Sequence, residues 1–111
     1  MRTAVFIENG TLSMLDADIR NRKVKLSAFE EKKGVIIPLK EELVNYLGIS
    51  YYVLHLLINR IKRVIVKDVD EKSRLIFNKV GIAVKTTDEL LSEPELKEMI
   101  QEAGIPASIL D

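Results

Sequence analysis

From Arg2 to Glu8 the chain is almost continuously apolar, with Val5 and Ile7 on one side of an extended backbone and Ala4 and Phe6 on the other. A strand covered on both faces reads this way, so the segment is expected at the centre of a sheet. Asn9–Gly10 follows, a strong hairpin signal because both turn residues must take φ > 0. Thr11 to Asp16 is expected to be the return strand, with Leu12 and Met14 inward. Asp18–Ile19–Arg20–Asn21–Arg22 is a polar turn. Lys23 to Glu31 then alternates Val24, Leu26 and Ala28 against Lys23, Lys25 and Ser27, the pattern of a half-exposed strand.

Glu31–Lys32–Lys33–Gly34 reads as a turn and Val35–Ile36–Ile37 as a short apolar segment. Pro38 suits the first position of a helix, and Glu41 and Glu42 complement the positive end of its dipole. The spacing of Leu39, Leu43, Tyr46 and Leu47 gives that helix an inward stripe, with Gly48 as its C-cap and Ser50 as the N-cap of the next. Tyr51 to Arg60 is then a helix with an unusually wide apolar arc. Only His55, Asn59 and Lys62 form a polar stripe on it.

Residues 61–86 organise the second half. Val64 to Lys67 is a β-branched strand, and Asp68 and Glu71 are spaced as a capping box. Val69, Ser73, Ile76 (with Phe77) and Val80 form the inward face of the helix between them and Gly81, and Ile82 to Val84 is the last strand. Parallel strands need a crossover of this kind. From Thr86 to Asp111 the chain holds a helical turn, then a proline-started helix with Leu96, Met99, Ile100 and Ala103 inward, stopped at Gly104–Ile105–Pro106. Three antiparallel strands followed by alternating helix and strand predict an α/β fold. The expected architecture is a ribonuclease H-like mixed five-stranded sheet, in the order 3-2-1-4-5, with helices on both faces and a single domain over residues 1–111.

Composition narrows the chemistry. The 111 residues are 47% hydrophobic and 31% charged, a profile of a globular chain, and 17 basic residues balance 17 acidic ones. That balance supplies no global field for nucleic acid or an anionic membrane. Without cysteine there are no disulfides, thiolate nucleophiles or Cys-ligated clusters, and there is a single histidine. The opening residues lack the apolar core of a signal peptide, and no segment reaches the roughly 18 apolar residues that cross a bilayer. A cytoplasmic location is expected.

Two stretches, MRTAVFIENGTLS and VIVKDVDEKSRLIFNKVGIAVKTT, give the chain a likeness. In their order of strand, hairpin, strand, turn, helix and Gly–Ile–x–Val strand it resembles the dinitrogenase iron–molybdenum cofactor biosynthesis family, small cofactor-carrier domains with a ribonuclease H-like fold. The resemblance implies a non-catalytic binding or carrier module and an iron–sulfur or iron–molybdenum cluster as cofactor. The family's ligand residues do not carry over. Where many members have a His–Phe–Gly signature this chain has Ser13–Met14–Leu15–Asp16–Ala17–Asp18, and Lys67–Asp68–Val69–Asp70–Glu71 stands where glycines are usual.

Three candidate sites remain. Glu8, Asp68 and Asp70 at neighbouring strand ends could gather around Mg²⁺ for phosphodiester hydrolysis, the alternative to a binding module. Against this, exposed acids at strand ends are ordinary and Asp68 has a capping role. His55 is the one candidate transition-metal ligand, although its neighbours at helical spacing, Tyr51 and Asn59, are not partners for it. The Lys62–Arg63–Lys67 and Lys72–Arg74–Lys79 groups are interleaved with acids and read as solvated surface. No phosphate-cradling glycine loop exists. The wide arc of Tyr51, Tyr52, Leu54 and Ile58 is either covered by the preceding helix and the sheet or is a surface for a homo-oligomer or protein partner.

Overall fold

The structure is a computed structural model that describes residues 1–18 and 20–110. The expected polar turn at residues 18–22 and the chain end at Asp111 include positions outside those residues. Strand β1 (Arg2–Glu8) is central and has buried side chains on both faces, as its unbroken apolar run requires. Asn9 and Gly10 take φ of 54° and 77° and turn the chain into β2 (Thr11–Leu12).

The return strand expected over Thr11–Asp16 is interrupted. The Ser13 N–H donates to the Phe6 carbonyl at 2.8 Å, and the Ser13 carbonyl accepts from the Lys67 N–H at 2.8 Å. The chain is thereby handed to another neighbour, and β3 (Met14–Leu15) pairs in parallel with β7 (Asp68–Val69) in a separate two-stranded sheet. Leu15, not Met14, points into the core.

Strands β4 (Arg22–Lys32) and β5 (Val35–Tyr46) form a long antiparallel hairpin, and β4 lies directly against β1. This replaces the helix expected from Pro38 to Leu47. The pairing shifts register between Ala28↔Lys40 and Phe29↔Pro38, leaving Leu39 as an extra residue on β5. The helix-like spacing of Leu39, Leu43, Tyr46 and Leu47 arises because the exposed Leu43 and Leu47 stand beside the buried Tyr46 on an outer strand and its exit. Helix α1 (Ile49–Ile58) follows, with Gly48 rather than Ser50 in the cap position.

Strand β6 (Arg63–Ile65) is parallel to β1, with Val5 opposite Ile65, and β8 (Ala83–Lys85) is parallel to β6. Helix α2 (Glu71–Lys79) joins them. Its N-cap is Asp70, whose side chain accepts from the Ser73 N–H at 3.2 Å, while Asp68 lies in β7 and bonds the Val69 N–H. The capping role therefore sits two residues later than expected. The last segment forms α3 (Thr87–Leu90), closed by a Thr86–Glu89 capping box, then α4 (Pro94–Glu102) and α5 (Ala107–Leu110).

The sheet runs β5-β4-β1-β6-β8, with β2 attached to β1. The order expected from the sequence, in which Thr11–Asp16 separates the first and third strands, is not the one formed. One core lies on the α1 and α2 face, where Phe6, Leu26, Tyr46, Tyr52, Leu56 and Phe77 are fully buried. The other lies under the C-terminal helices, built on Val5, Phe29, Ile65, Leu96 and Ile100. Burying both faces is what the near-continuous apolar strands demand.

Candidate interaction surface on the outer strand and first helix

Strand β5 is the end of the sheet, so one of its edges has no neighbouring strand. Its residues Val44 and Tyr46 point into the core beneath α1, and Leu43, just before them, is 70% exposed. Tyr46 stacks on Tyr52 and meets Tyr51 and His55 edge-on, with centroids at 5.9 and 5.8 Å. Those contacts turn one flank of α1 toward β5. With 3.6 residues per turn, Ile58 shares the flank with Tyr51 and His55, and Leu54 lies beside it. Ile58 is 71% exposed and Leu54 57%, while Tyr52, grouped with them by the sequence, is fully buried.

A polar ladder holds α1 to β5. His55 Nε2 lies 2.9 Å from Glu42 Oε1, the Lys40 ammonium 3.3 Å from the same oxygen, and Lys40 Nζ donates to Asn59 Oδ1 at 2.6 Å. Burial opposes ionisation of Glu42, but the hydrogen bonds from Lys40 and His55 outweigh it and hold the carboxyl below its ordinary range. On the other side of β5, Glu41 pairs with Lys25 of β4 at 2.5 Å.

Of the thirteen large apolar side chains left exposed among the described residues, nine lie between Val35 and Ile58. A concentration of this kind on one edge strand and one helix flank is unlike the scattered single exposures of an ordinary surface. Leu39, Leu43 and Leu47 are exposed along the outer strand and its exit, Leu43 on the sheet face away from α1, and were missed because helical periodicity assigned them inward. The signal that could have found them is the charged Lys40–Glu41–Glu42 triplet, which falls mid-segment, as it does on an exposed strand.

The other candidate residues are dispersed in separate contacts. Glu8 accepts from Arg22 Nε at 2.7 Å. Asp70 caps α2, and hydrogen bonds centred on Ser73 outweigh burial to keep its carboxyl below the usual range. Asp68 bonds its own strand. Among the described residues no three His, Cys, Asp or Glu side chains converge as a metal would require. The donor set does not fit a resident iron–sulfur or iron–molybdenum cluster: the chain has no thiolate, and its one imidazole is held by Glu42. In the basic groups, Arg74 bonds Glu89 at 2.6 Å and the Val84 carbonyl, and Arg63 donates to Thr3. No helix among the described residues is long and apolar enough to cross a membrane.

The fold class is that of an α/β protein with a mixed sheet. No family model matches the chain. No curated protein matches it significantly. Among solved structures it is similar to one described as "Crystal structure of PH0822", at 18% identity and a TM-score of 0.54, with 78% of each chain covered. At that identity the likeness concerns the fold alone.

Proposed function

We propose that the chain is a non-catalytic binding module that engages a protein partner through the outer edge of β5 and the exposed flank of α1. The observation that carries this reading is the run of exposed large apolar residues along the open edge of β5 and the flank of α1, with Leu43, Leu54 and Ile58 each more than half exposed. An open strand edge contributes main-chain hydrogen bonds to an extended partner, and the adjoining leucines contribute apolar contact. The framework behind this surface is ribonuclease H-like in our reading, an antiparallel β1/β4/β5 meander continued by two parallel strands. The chain resembles the cofactor-carrier family in the order of its sequence segments, whereas its donor atoms favour a protein ligand over a cluster.

Selection of displayed extended peptides on the purified chain tests the proposal. Peptide binding is expected to be lost in a Leu54→Glu, Ile58→Glu variant and kept in Leu75→Glu, which changes an exposed leucine on α2. Reconstitution with iron and sulfide is expected to leave the protein colourless. Mg²⁺- or Mn²⁺-dependent phosphodiester hydrolysis that disappears in Asp70→Asn would overturn the reading in favour of an enzyme.

A further inference from the structure

The pattern of β5 identifies one partner, and this inference rests on the binding-module reading. Pro38 has no N–H to offer, and the extra residue Leu39 bends the strand, so the Val35–Pro38 half of the edge is poorly suited to pairing. The open segment begins at Leu39 and reads Leu39–Lys40–Glu41–Glu42–Leu43.

A second copy added antiparallel about a two-fold axis normal to the sheet must oppose residues that lie on the same face. The axis therefore passes through a residue, and positions equidistant from it face each other. Centred on Lys40 or on Glu42 no lysine meets a glutamate across the seam: Lys40 opposes itself in the first register and Val44 in the second. Centred on Glu41, Lys40 opposes the second copy's Glu42, and that pair occurs twice. The one like pair is Glu41 with itself, on the face where Lys25 already neutralises each copy. Opposite charges across paired strands are favourable and like charges are not.

Helix α1 fits the same axis. His55 sits at Glu42 and Asn59 at Lys40, so α1 runs opposite to β5. The axis then sets α1 and its copy antiparallel on one side of the extended sheet, with Leu54 and Ile58 near its level. Stable interfaces bury about 800 Å² per partner, more than a five-residue strand pairing offers, and the helix flank supplies apolar area beyond it. We propose that the chain forms a two-fold homodimer by antiparallel pairing of β5 centred on Glu41, with the α1 flanks of the two copies in contact.

Sedimentation equilibrium on the wild type, on Lys40→Glu, on Glu42→Lys and on an equimolar mixture of the two variants tests the register. The wild type is expected to dimerise, and each variant alone, which sets like charges at both crossings, to associate about tenfold more weakly or worse. The mixture is expected to recover wild-type association, because a heterodimer restores both opposite pairs. Circular dichroism confirms that each variant is folded, and Leu54→Glu with Ile58→Glu provides a second route to the monomer without touching the ladder to His55. A wild type that stays monomeric to roughly 100 µM, variants that dimerise unchanged, or a mixture that stays monomeric each overturn the homodimer. If the wild type is monomeric yet selected peptides still bind the α1 flank, self-pairing falls and the module reading stands. If neither association occurs, both fall.

Discussion

Tyr46, at the end of β5, and Tyr52, on the first turns of α1, lie nearly face to face with ring centroids 3.6 Å apart and an interplanar angle of 13°. Phe6 meets both rings edge-on, at 5.9 and 5.3 Å, so three aromatic side chains join the outer strand, the helix and the central strand. Both phenol oxygens are buried without a hydrogen-bond partner. The rings contribute packing, and the hydroxyls carry a desolvation penalty.

That division gives a direct expectation. Tyr46→Phe and Tyr52→Phe should each be neutral or stabilising by about 1 kcal/mol, because an unmet buried hydroxyl is removed. Tyr46→Ala should cost about 3–5 kcal/mol through the cavity it leaves. Urea denaturation followed by circular dichroism measures both.

The same burial predicts alkaline behaviour. Desolvation pushes the Tyr52 phenol up to about 12, and it raises Tyr46 further still. A group whose folded pKa is raised supplies stability that is complete below the unfolded value of about 10 and is lost as pH rises through the folded value. Denaturant midpoints should therefore fall as pH climbs above about 10. The Tyr46→Phe, Tyr52→Phe double variant should flatten that decline.

On the acid side the sign reverses. Burial opposes ionisation of Glu89, but hydrogen bonds from Arg74 and Thr86 prevail and keep its carboxyl below the usual range, as comparable bonds do for Glu42 and Asp70. Lowered folded values give stability that is present above the unfolded carboxylate range near pH 4 and is lost as pH falls through the folded values. Glu89→Gln should make the acid limb of a denaturation-versus-pH curve shallower. Asp70→Ala should cost about 1 kcal/mol at neutral pH by uncapping α2.

Leu43 and Ile58 are 70% and 71% exposed. Leu43→Lys and Ile58→Glu should change stability by no more than about 0.5 kcal/mol, as substitutions outside a core do. Thermal melts at low protein concentration check this and separate effects on association from effects on folding.

The centre of the fold was legible in the sequence. Arg2–Glu8 and Asn9–Gly10 each follow one local rule, the strand–helix–strand of residues 61–86 forms with only the short β7 added before its helix, and Val5 and Ile65 lie side by side as those rules require. The misreadings share a cause: contacts made far along the chain. Ser13 alternates well enough for one continuous strand, but its backbone is claimed by Phe6 on one side and Lys67 on the other. On β5 and its exit the exposed Leu43 and Leu47 stand beside the buried Tyr46, so an outer strand shows the spacing of a helix. For the candidate surface, the wide arc on α1 was visible. Its continuation onto Leu39 and Leu43 was not, since it depends on which side of a misassigned segment faces outward.

The phase shift at Leu39 also has a mechanical result. Val44 and Tyr46 on one stretch of the arm belong to the layer beneath α1, while Ile36 on the other stretch packs with Phe29 and the C-terminal helices. A single ribbon thus clasps both layers of the molecule from the side. Loosening either layer frees the ribbon from the other, so slow hydrogen exchange on the two faces should be lost together rather than in separate steps.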